Sequence, residues 1–267
     1  MAAQLVHLTG ADHPGLKPYT AVRERDLVGR EGRFIAEGEV VLRVLASRSK
    51  MTIRSLLLEE RRIEAVADVI AGLPDTIPVY VVPQHVMDGV VGFSIHRGIL
   101  ALGERGATIA PADLVRGAKV LVGLVGLTNH DNVGSIFRNA AAFGADGVLL
   151  DAESCDPLYR KAIRVSAGTA LVVPFARCGS VDEMFEVLAA ANIEPIALTP
   201  RGEETIDTLP PAPRALLLGT EGPGLPEHVL ARTRRVRIDM APGLDSLNVA
   251  VASGIALHEA TRALRRR

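Results

Sequence analysis

The sequence has no tryptophan, and aromatic residues make up only 3% of its 267 residues. A folded core must therefore consist mainly of aliphatic side chains, and a hydrophobic content of 48% is enough to bury a sizeable one. The two cysteines, Cys155 and Cys178, are too few for a disulfide framework or a cysteine metal cluster. This cysteine usage is typical of a reducing, cytoplasmic setting.

Long apolar runs and a strong net charge are also missing. No apolar run is long enough to span a membrane, and the N-terminus lacks the basic-then-apolar layout of a signal peptide. We therefore expect neither membrane contact nor, since no ligand cluster is visible, a metal. The formal charge of −1 is not typical of a nucleic-acid-binding protein. Residues 23–62 carry ten basic and seven acidic residues, which indicates either a mildly basic patch or a solvated surface of mixed charge.

Strand-like and helix-like segments alternate twice along the chain. Residues 1–20 mix Gly, Pro and His and are predicted to form a loosely ordered lead-in. The first alternation, over residues 21–102, predicts a small α/β domain. Residues 103–117 are polar and contain Gly and Pro, which favours a linker. The second alternation, over residues 118–267, has short continuous apolar strands and predicts a parallel sheet with helices on both faces.

The second alternation divides into individual elements. The predicted strands cover residues 120–124, 147–150, 171–175, 195–198, 215–218 and 236–238. The predicted helices cover residues 133–143, 157–165 and 181–191, with a last one starting near Leu247. Loops at the carboxyl ends of such strands form the ligand crevice of a doubly wound sheet, so three loop segments are candidates for chemistry.

The first candidate segment, Asn132 to Ala140, follows the strand at 120–124. Asn132 can cap the helix that follows, and Gly134 permits close backbone approach. Arg138 stands within an otherwise apolar helix and needs a partner, because a buried charge is costly unless it is paired. Arg138 either forms a structural salt bridge or binds a ligand. The segment has no G-x-G-x-x-G pattern, so a dinucleotide-binding interpretation lacks its phosphate loop.

The second candidate segment runs from Leu217 to Leu225. A strand leads into Gly219, and Glu221 stands among glycines and a proline. Glycines allow the backbone a tight path around a bulky ligand. Glu221 either anchors the N–H groups of the loop or holds an arginine.

The third candidate segment, residues 238–262, is a loop followed by a helix. Asp245 and Ser246 are good N-cap types. Apolar residues then recur at four-residue intervals at Leu247, Val251 and Ile255, and the small residues between them allow close packing. A helix N-terminus with Ser246 and Asn248 beside it is suited to a polar ligand. The alternative is a capped, buried helix without chemistry.

In this order, the three segments resemble the motifs of the SpoU (TrmH) family of RNA ribose 2′-O-methyltransferases, in the SPOUT superfamily. The matching stretches are NVGSIFRNAAAFGADGVLL, LLLGTEGPGL and IDMAPGLDSLNVAVASGIALHEA, with a connecting match in DPLYRKAIRVSAGT. They cover most of residues 119–262. The first half resembles the family's RNA-substrate-binding domain through GRFIAEGEVVLRVL and HRGILA. The sequence departs from the family where Asn129-His130 replaces a frequent Asp-Pro, and where Asp239 replaces a frequent Pro.

The resemblance implies a particular α/β architecture. A small ribosomal-protein-like α/β domain over residues 21–102 would bind RNA. Residues 118–267 would form a SPOUT methyltransferase domain, with a parallel sheet and a deep trefoil knot. The family is homodimeric and binds S-adenosylmethionine (AdoMet) in the knot. The positions that correspond to its cofactor contacts are Gly219, Ile238 and Leu247, with Thr220 and Met240 nearby.

The resemblance also implies an activity. The expected reaction is AdoMet-dependent methylation of a ribose 2′-hydroxyl, with 23S ribosomal RNA as the favoured substrate and transfer RNA as the alternative. The expected catalytic residues are Arg138, Asn132, Glu221, Ser246 and Asn248. A guanidinium rarely loses its proton, so we expect Arg138 to clamp an RNA phosphate and stabilise a developing oxyanion. A non-catalytic RNA-binding protein and a nucleotide-binding oxidoreductase are the competing classes, and the absent glycine fingerprint disfavours the second.

Overall fold

The computed structural model of the chain describes residues 3–20, 24–92, 97–244 and 246–265. Within these residues the strands are β1 (Leu5–His7), β2 (Arg33–Glu37), β3 (Thr52–Glu59), β4 (Val79–Val82), β5 (Ile99–Glu104), β6 (Val120–Leu124), β7 (Gly147–Leu150), β8 (Phe175–Arg177), β9 (Glu194–Leu198), β10 (Glu204–Thr205), β11 (Arg214–Leu218) and β12 (Arg234–Arg237).

The α-helices of the same residues are α1 (Glu24–Gly29), α2 (Glu39–Arg48), α3 (Ala67–Gly72), α4 (Gln84–Val91), α5 (Pro111–Leu114), α6 (His130–Phe143), α7 (Arg160–Val165), α8 (Val181–Ala190), α9 (Glu227–Leu230) and α10 (Val249–Arg265). Short 3-10 helices cover Pro14–Tyr19, Glu60–Arg62, Glu64–Val66, Thr169–Leu171 and Ile206–Thr208.

The chain divides into two compact units. Unit 1 consists of Met1–Ala107 and Asp156–Val172, and unit 2 of Thr108–Cys155 and Val173–Arg267. The predicted organisation assigned residues 156–172 to the C-terminal domain, whereas the structure places them in unit 1. The segment predicted as a linker, residues 103–117, contains the end of β5 and the whole of α5.

Unit 1 is built on a mixed five-stranded sheet with the order β1-β4-β3-β5-β2. Strands β1 and β3 run parallel to β4, while β2 and β3 run antiparallel to β5. The expectation of a loosely ordered lead-in was wrong, because β1 lies in this sheet and Tyr19 is buried. The Tyr19 hydroxyl lies 2.7 Å from the Ser55 Oγ. Burial raises the pKa of Tyr19, so the phenol stays protonated.

The inserted segment 156–172 is tied to unit 1 by buried polar contacts. The Glu37 carboxylate, at the end of β2, is only 5% exposed. It accepts hydrogen bonds from Arg160 Nε at 2.9 Å and from Arg164 Nη1 at 3.3 Å, both on α7. Arg105 Nη2 donates to Asp156 Oδ2 at 2.7 Å. Arg160 and Arg164 therefore compensate the Glu37 carboxylate, which would be costly to bury alone.

Unit 2 is built on a seven-stranded sheet with the order β10-β12-β9-β11-β6-β7-β8, and all of its pairings are parallel. Alternate residues of its strands, such as Leu121, Leu149 and Leu217, form one aliphatic core with side chains of α5, α8 and α9. Helix α10 contacts α6, β6 and β11. The prediction of a parallel sheet in an α/β fold is confirmed, while the trefoil knot stays a prediction.

Two predicted elements of the second half are misplaced. The strand predicted at 171–175 is wrong, since Thr169–Leu171 is a 3-10 helix and β8 begins at Phe175. Leu171 is apolar because it is buried in unit 1, not because it lies in the sheet. The last helix begins at Val249 rather than near Leu247. Among the described helices, none combines the length and apolarity needed to cross a membrane.

We predict that Glu37→Ala destabilises the protein by about 3–5 kcal/mol, because removing one partner of a buried ion pair leaves its cations uncompensated. Thermal unfolding followed by circular dichroism measures the effect. The control is Glu31→Ala, which removes the exposed Glu31–Arg33 pair and should change the melting temperature little. Equal melting temperatures for the two variants would contradict a structural role for Glu37.

Candidate functional site

A cavity of about 360 Å³ lies at the carboxyl edge of the unit 2 sheet. Strands β9, β11 and β12 end there, as parallel strands of one sheet must, and their loops form its walls. The lining residues are Leu198, Thr199, Pro200, Leu218, Gly219, Thr220, Glu221, Gly222, Gly224, Ile238, Met240, Ser246, Leu247, Asn248, Val249 and Ala252. Its size is typical of a small-molecule site.

The loop after β11 folds into a tight turn. Gly224 N donates to the Thr220 carbonyl at 3.1 Å, and the two residues form an isolated β-bridge. A Cβ at Gly219 would lie only 2.4 Å from the Gly224 carbonyl carbon and the Leu225 nitrogen. Because both contacts are backbone atoms, a side chain at Gly219 would force the turn apart. The turn holds Glu221 at the edge of the cavity.

Asn132, Glu221 and Asn248 form a hydrogen-bonded cluster, the polar triad. Glu221 Oε1 accepts from Asn132 Nδ2 at 2.9 Å and from Asn248 Nδ2 at 2.8 Å. Asn248 Nδ2 also lies 3.1 Å from Asn132 Oδ1. Asn132 is 6% exposed, so its amide needs these partners. The triad joins the first turn of α6, the loop after β11 and the start of α10.

The side chain that caps α10 is Asn248. Its Oδ1 accepts from the backbone nitrogens of Ala250 at 2.9 Å and Val251 at 3.3 Å, as an N-cap does. Because Asn248 Oδ1 accepts from the helix backbone, the side-chain nitrogen Nδ2 is the atom that faces Glu221. The predicted cap at Ser246 is therefore wrong, and Asp245 lies outside the described residues. The predicted cap of α6 at Asn132 is also wrong, because Asn129 accepts from Asp131 N there.

Helix α10 is fastened to α6 within the chain. Asn139 Nδ2 donates to the Ala250 carbonyl at 2.7 Å and to Ser253 Oγ at 2.9 Å. Ser253 and Ala256 are 1% and 0% exposed, so these small residues serve packing within the chain. The apolar residues that recur at four-residue intervals are exposed, at 37% for Leu247, 53% for Val251 and 39% for Ile255.

Arg138 is exposed on α6 and does not line the cavity. Within the part of the chain that the structure describes, its guanidinium has no hydrogen-bond or ion-pair partner. The interpretation of Arg138 as one half of a structural salt bridge is therefore wrong. The apolar residues around Arg138 predicted a buried charge, but Arg138 occupies an exposed position of a helix that is otherwise largely buried.

The structure brings most of the predicted site residues together. All five predicted cofactor contacts line the cavity, as do Glu221, Ser246 and Asn248, and Asn132 reaches it through the triad. The sequence interpretation missed the loop after β9, which contributes Thr199 and Pro200. The available signal was the turn-forming Pro200-Arg201-Gly202 at the end of a predicted strand.

Two other kinds of chemistry find little support in unit 2. Among the described residues, no group of three His, Cys, Asp or Glu side chains is placed to hold a metal ion. Burial raises the pKa of Cys178 to about 12, with smaller contributions from nearby carboxylates. A buried thiol with a raised pKa stays protonated at neutral pH, which disfavours a nucleophilic role for Cys178.

The site's three loops lie within the region that a family model matches. The family model described as the SpoU rRNA Methylase family matches residues 119–258, slightly more than half of the chain. The chain belongs to the SpoU rRNA methylase family. A relative in Mycobacterium bovis, an uncharacterized tRNA/rRNA methyltransferase, is 40% identical over 247 residues, covering 90% of this chain and 84% of the relative.

Solved structures of RNA methyltransferases share the fold over nearly the whole chain. The AdoMet-bound rRNA methyltransferase from Sinorhizobium meliloti matches with a TM-score of 0.83 and 25% identity, covering 97% of this chain and 98% of that one. An RNA 2′-O ribose methyltransferase matches with a TM-score of 0.77 and 26% identity, covering 97% and 99%. The expected family and α/β fold class are confirmed.

We predict that Asn248→Asp destabilises this SpoU family member by about 1–2 kcal/mol at neutral pH, since hydrogen bonds to charged groups contribute about 1.5–3 kcal/mol, and less when exposed. The new carboxylate still caps α10, but it faces Glu221 and cannot donate to it. Like charges raise both pKa values, so the lost stability should return as the pH falls and one group is protonated.

Unfolding of this variant measured between pH 4 and pH 8 tests the triad. Asn248→Ser serves as control, because serine also caps a helix but brings no charge. Its deficit relative to the wild type should shrink much less on acidification, because it lacks the hydrogen bond to Glu221 but has no charge repulsion to relieve. A parallel pH dependence of the Asp and Ser variants would mean that Asn248 does not face the Glu221 carboxylate.

Proposed function

We propose that this SpoU family member is an AdoMet-dependent RNA methyltransferase that methylates a ribose 2′-hydroxyl, with ribosomal RNA as its substrate. The observation that carries the proposal is the cavity at the carboxyl edge, which gathers all five predicted cofactor contacts beside the polar triad. The relatives support it, since one is an AdoMet-bound rRNA methyltransferase and another an RNA 2′-O ribose methyltransferase.

The lining of the cavity fits AdoMet. Ile238, Leu247 and Val249 offer apolar surface for a purine ring, and the hydroxyls of Thr220 and Ser246 offer polar contacts. The glycines of the loop after β11 leave backbone groups open to a ligand. When bound, AdoMet supplies a methyl group activated on a sulfonium, so the protein has no need of a metal for this reaction.

The protein's contribution is positioning and electrostatics. Arg138 presents an exposed fork of N–H donors, which suits the phosphate next to the target ribose and stabilises negative charge on the 2′-oxygen. Because guanidinium groups rarely lose a proton, we assign Arg138 no role as a base. Glu221 holds the amides of Asn132 and Asn248, and we infer that it fixes the loops rather than orienting Arg138. Ser246 is exposed at the cavity and would bind the ribose or its phosphate.

We infer the class of substrate RNA from the relatives, and not from a pocket that recognises particular bases. Transfer RNA is the alternative substrate, since the Mycobacterium bovis relative is an uncharacterized tRNA/rRNA methyltransferase. We propose that unit 1 binds the RNA and that the enzyme works in the cytoplasm. A methylation assay on total RNA from a strain that lacks the gene, followed by mapping of the modified nucleotide, separates ribosomal from transfer RNA. A non-catalytic RNA-binding protein would leave every RNA unmodified.

Dimerisation is a further part of the proposal. Leu247, Val251 and Ile255 form a partly exposed apolar line beside the cavity, and Leu244, 62% exposed, lies just before it. Exposed apolar patches of this kind mark interaction surfaces. We propose that a second copy of the chain covers this line and that the active site lies close to the interface between the two subunits.

We predict that Arg138→Ala abolishes methylation while fold and AdoMet affinity stay near those of the wild type, because Arg138 is exposed and outside the cavity. Arg138→Lys should also fail, since lysine lacks the planar fork. The control is Arg116→Ala, which removes another exposed arginine of unit 2, paired with Asp113. The readouts are methyl transfer to RNA and AdoMet binding by calorimetry. Activity of Arg138→Ala within a few-fold of the wild type would refute the role.

We predict that Val251→Glu combined with Ile255→Glu converts a dimer into a monomer, because two buried carboxylates would be costly at an apolar interface. Sedimentation at micromolar concentration measures the change. Val40→Glu is the control, since Val40 is 62% exposed in unit 1. A wild-type chain that is monomeric at this concentration would overturn the dimer proposal.

A further inference from the structure

Most arginines of unit 2 are already engaged. Arg116, Arg232, Arg235 and Arg262 pair with acids, Arg234 pairs with both Glu194 and Glu204, and Arg177, Arg214 and Arg237 donate to backbone carbonyls. Among the side chains of unit 2 that the structure describes, two arginines are exposed and have no such partner, namely Arg138 and Arg201. Arg138 is the proposed catalytic residue, whereas the proposed mechanism does not use Arg201.

Arg201 occupies a rigid turn beside the cavity. Gly202 N donates to the Thr199 carbonyl at 3.0 Å, which closes a β-turn with Pro200 and Arg201 at its two central positions. Thr199 and Pro200 line the cavity, whereas Arg201 does not. The turn therefore presents Arg201 next to the site, on its outer side.

The backbone on both sides of the turn is held firmly. Thr199 N donates to the Val236 carbonyl at 2.9 Å, and Glu203 N donates to the Arg235 carbonyl at 3.1 Å. A Cβ at Gly202 would lie 2.3 Å from the Val236 carbonyl carbon, so only glycine allows this approach of the turn to β12. Because the backbone of this turn is already fixed, an arginine on it loses little backbone entropy when it binds an anion.

Arg237 fastens the same turn to the loop after β12, which also lines the cavity. Its Nη1 donates to the carbonyls of Gly202 at 3.0 Å and Glu203 at 3.1 Å, while its Nε donates to Asp239 Oδ1 at 2.9 Å. Asp239 stands between Ile238 and Met240, which line the cavity. The neighbouring charges are thus neutralised by local partners, and Arg201 alone on this turn is left available.

Strand topology places the two available arginines after the two strands that flank β11. Arg201 follows β9, and Arg138 lies on the helix that follows β6. Both strands are direct neighbours of β11, whose loop carries Glu221. A single-stranded RNA laid over Glu221 would meet one cation from each side, and RNA carries a phosphate at every nucleotide.

We propose that Arg201 contacts a phosphate of the RNA substrate, on the side of the active site opposite to Arg138. This inference rests on the proposed function. A carboxylate of AdoMet is a second source of the same anionic chemistry, but Arg201 lies outside the cavity lining, and we assign it to the RNA.

The test compares Arg201→Ala, Arg201→Lys and Arg235→Ala with the wild type. Arg235→Ala removes the same charge close by, but from a side chain paired with Glu203 at 2.5 Å. The probe is ribosomal RNA transcribed in vitro from the genes of the same organism, with filter binding at several salt concentrations. Calorimetry gives the AdoMet affinity of each variant, and methyl transfer is assayed on the same RNA.

We expect Arg201→Ala to bind RNA about fivefold more weakly at 0.1 M salt, because one phosphate contact to a single strand contributes about −0.7 to the log–log salt slope. The slope should become shallower by that amount, with an unchanged AdoMet affinity. Arg201→Lys should keep the slope, and Arg235→Ala should behave as the wild type.

Three results would overturn the inference. They are an unchanged RNA affinity of Arg201→Ala, an equal loss in Arg235→Ala, and a loss of AdoMet affinity without a loss of RNA affinity. The last would assign Arg201 to the cofactor's carboxylate. A wild-type chain that neither binds AdoMet nor methylates RNA would refute the proposed function, and this inference with it. An active wild type with an unaffected Arg201→Ala refutes the inference alone.

Discussion

The geometry of the site depends on one carboxylate oxygen, Glu221 Oε1, which accepts hydrogen bonds from Asn132 and Asn248 at 2.9 and 2.8 Å. These residues are 89 and 27 positions away from Glu221 in sequence, so the bonds join three segments that the chain does not hold together locally. Each bond contributes little net free energy where solvent reaches it. Their importance lies in the distances they fix between the first turn of α6, the loop after β11 and the N-cap of α10.

The second constraint is the way the chain divides between its two units. Unit 1 is completed by residues 156–172, which leave unit 2 after β7 and return to it before β8. The Glu37 carboxylate depends on α7 for its partners. Neither unit is therefore one continuous stretch of sequence. A fragment cut at the predicted linker would contain α7 without the strand against which it packs, so fragment experiments do not separate the two units cleanly.

Local patterns predicted the sheet of unit 2 well, because its strands are short apolar runs between helices and turn residues mark their ends. The same patterns placed all five predicted cofactor contacts in loops that meet at one edge, and the family resemblance selected which of these residues matter. The errors share a different cause. Leu171 is buried in another unit, Arg138 lies on the exposed side of α6, and Asn248 rather than Ser246 caps α10. Each of these depends on a tertiary contact that periodicity and residue type do not encode.

Unit 2 also explains how a chain with a formal charge of −1 can be suited to a polyanion. Net charge is a sum, but binding depends on which cations lack a local partner. The arginines around β10 and β12 are neutralised by Glu203, Glu204 and Asp239, and they hold the edge of the sheet and the cavity walls in place. Such pairs offer little attraction to RNA, because an incoming phosphate must compete with a carboxylate already in place. Under the proposed function, the exposed arginines without partners beside the site would add to the RNA binding proposed for unit 1 and would favour the register that the proposed chemistry requires.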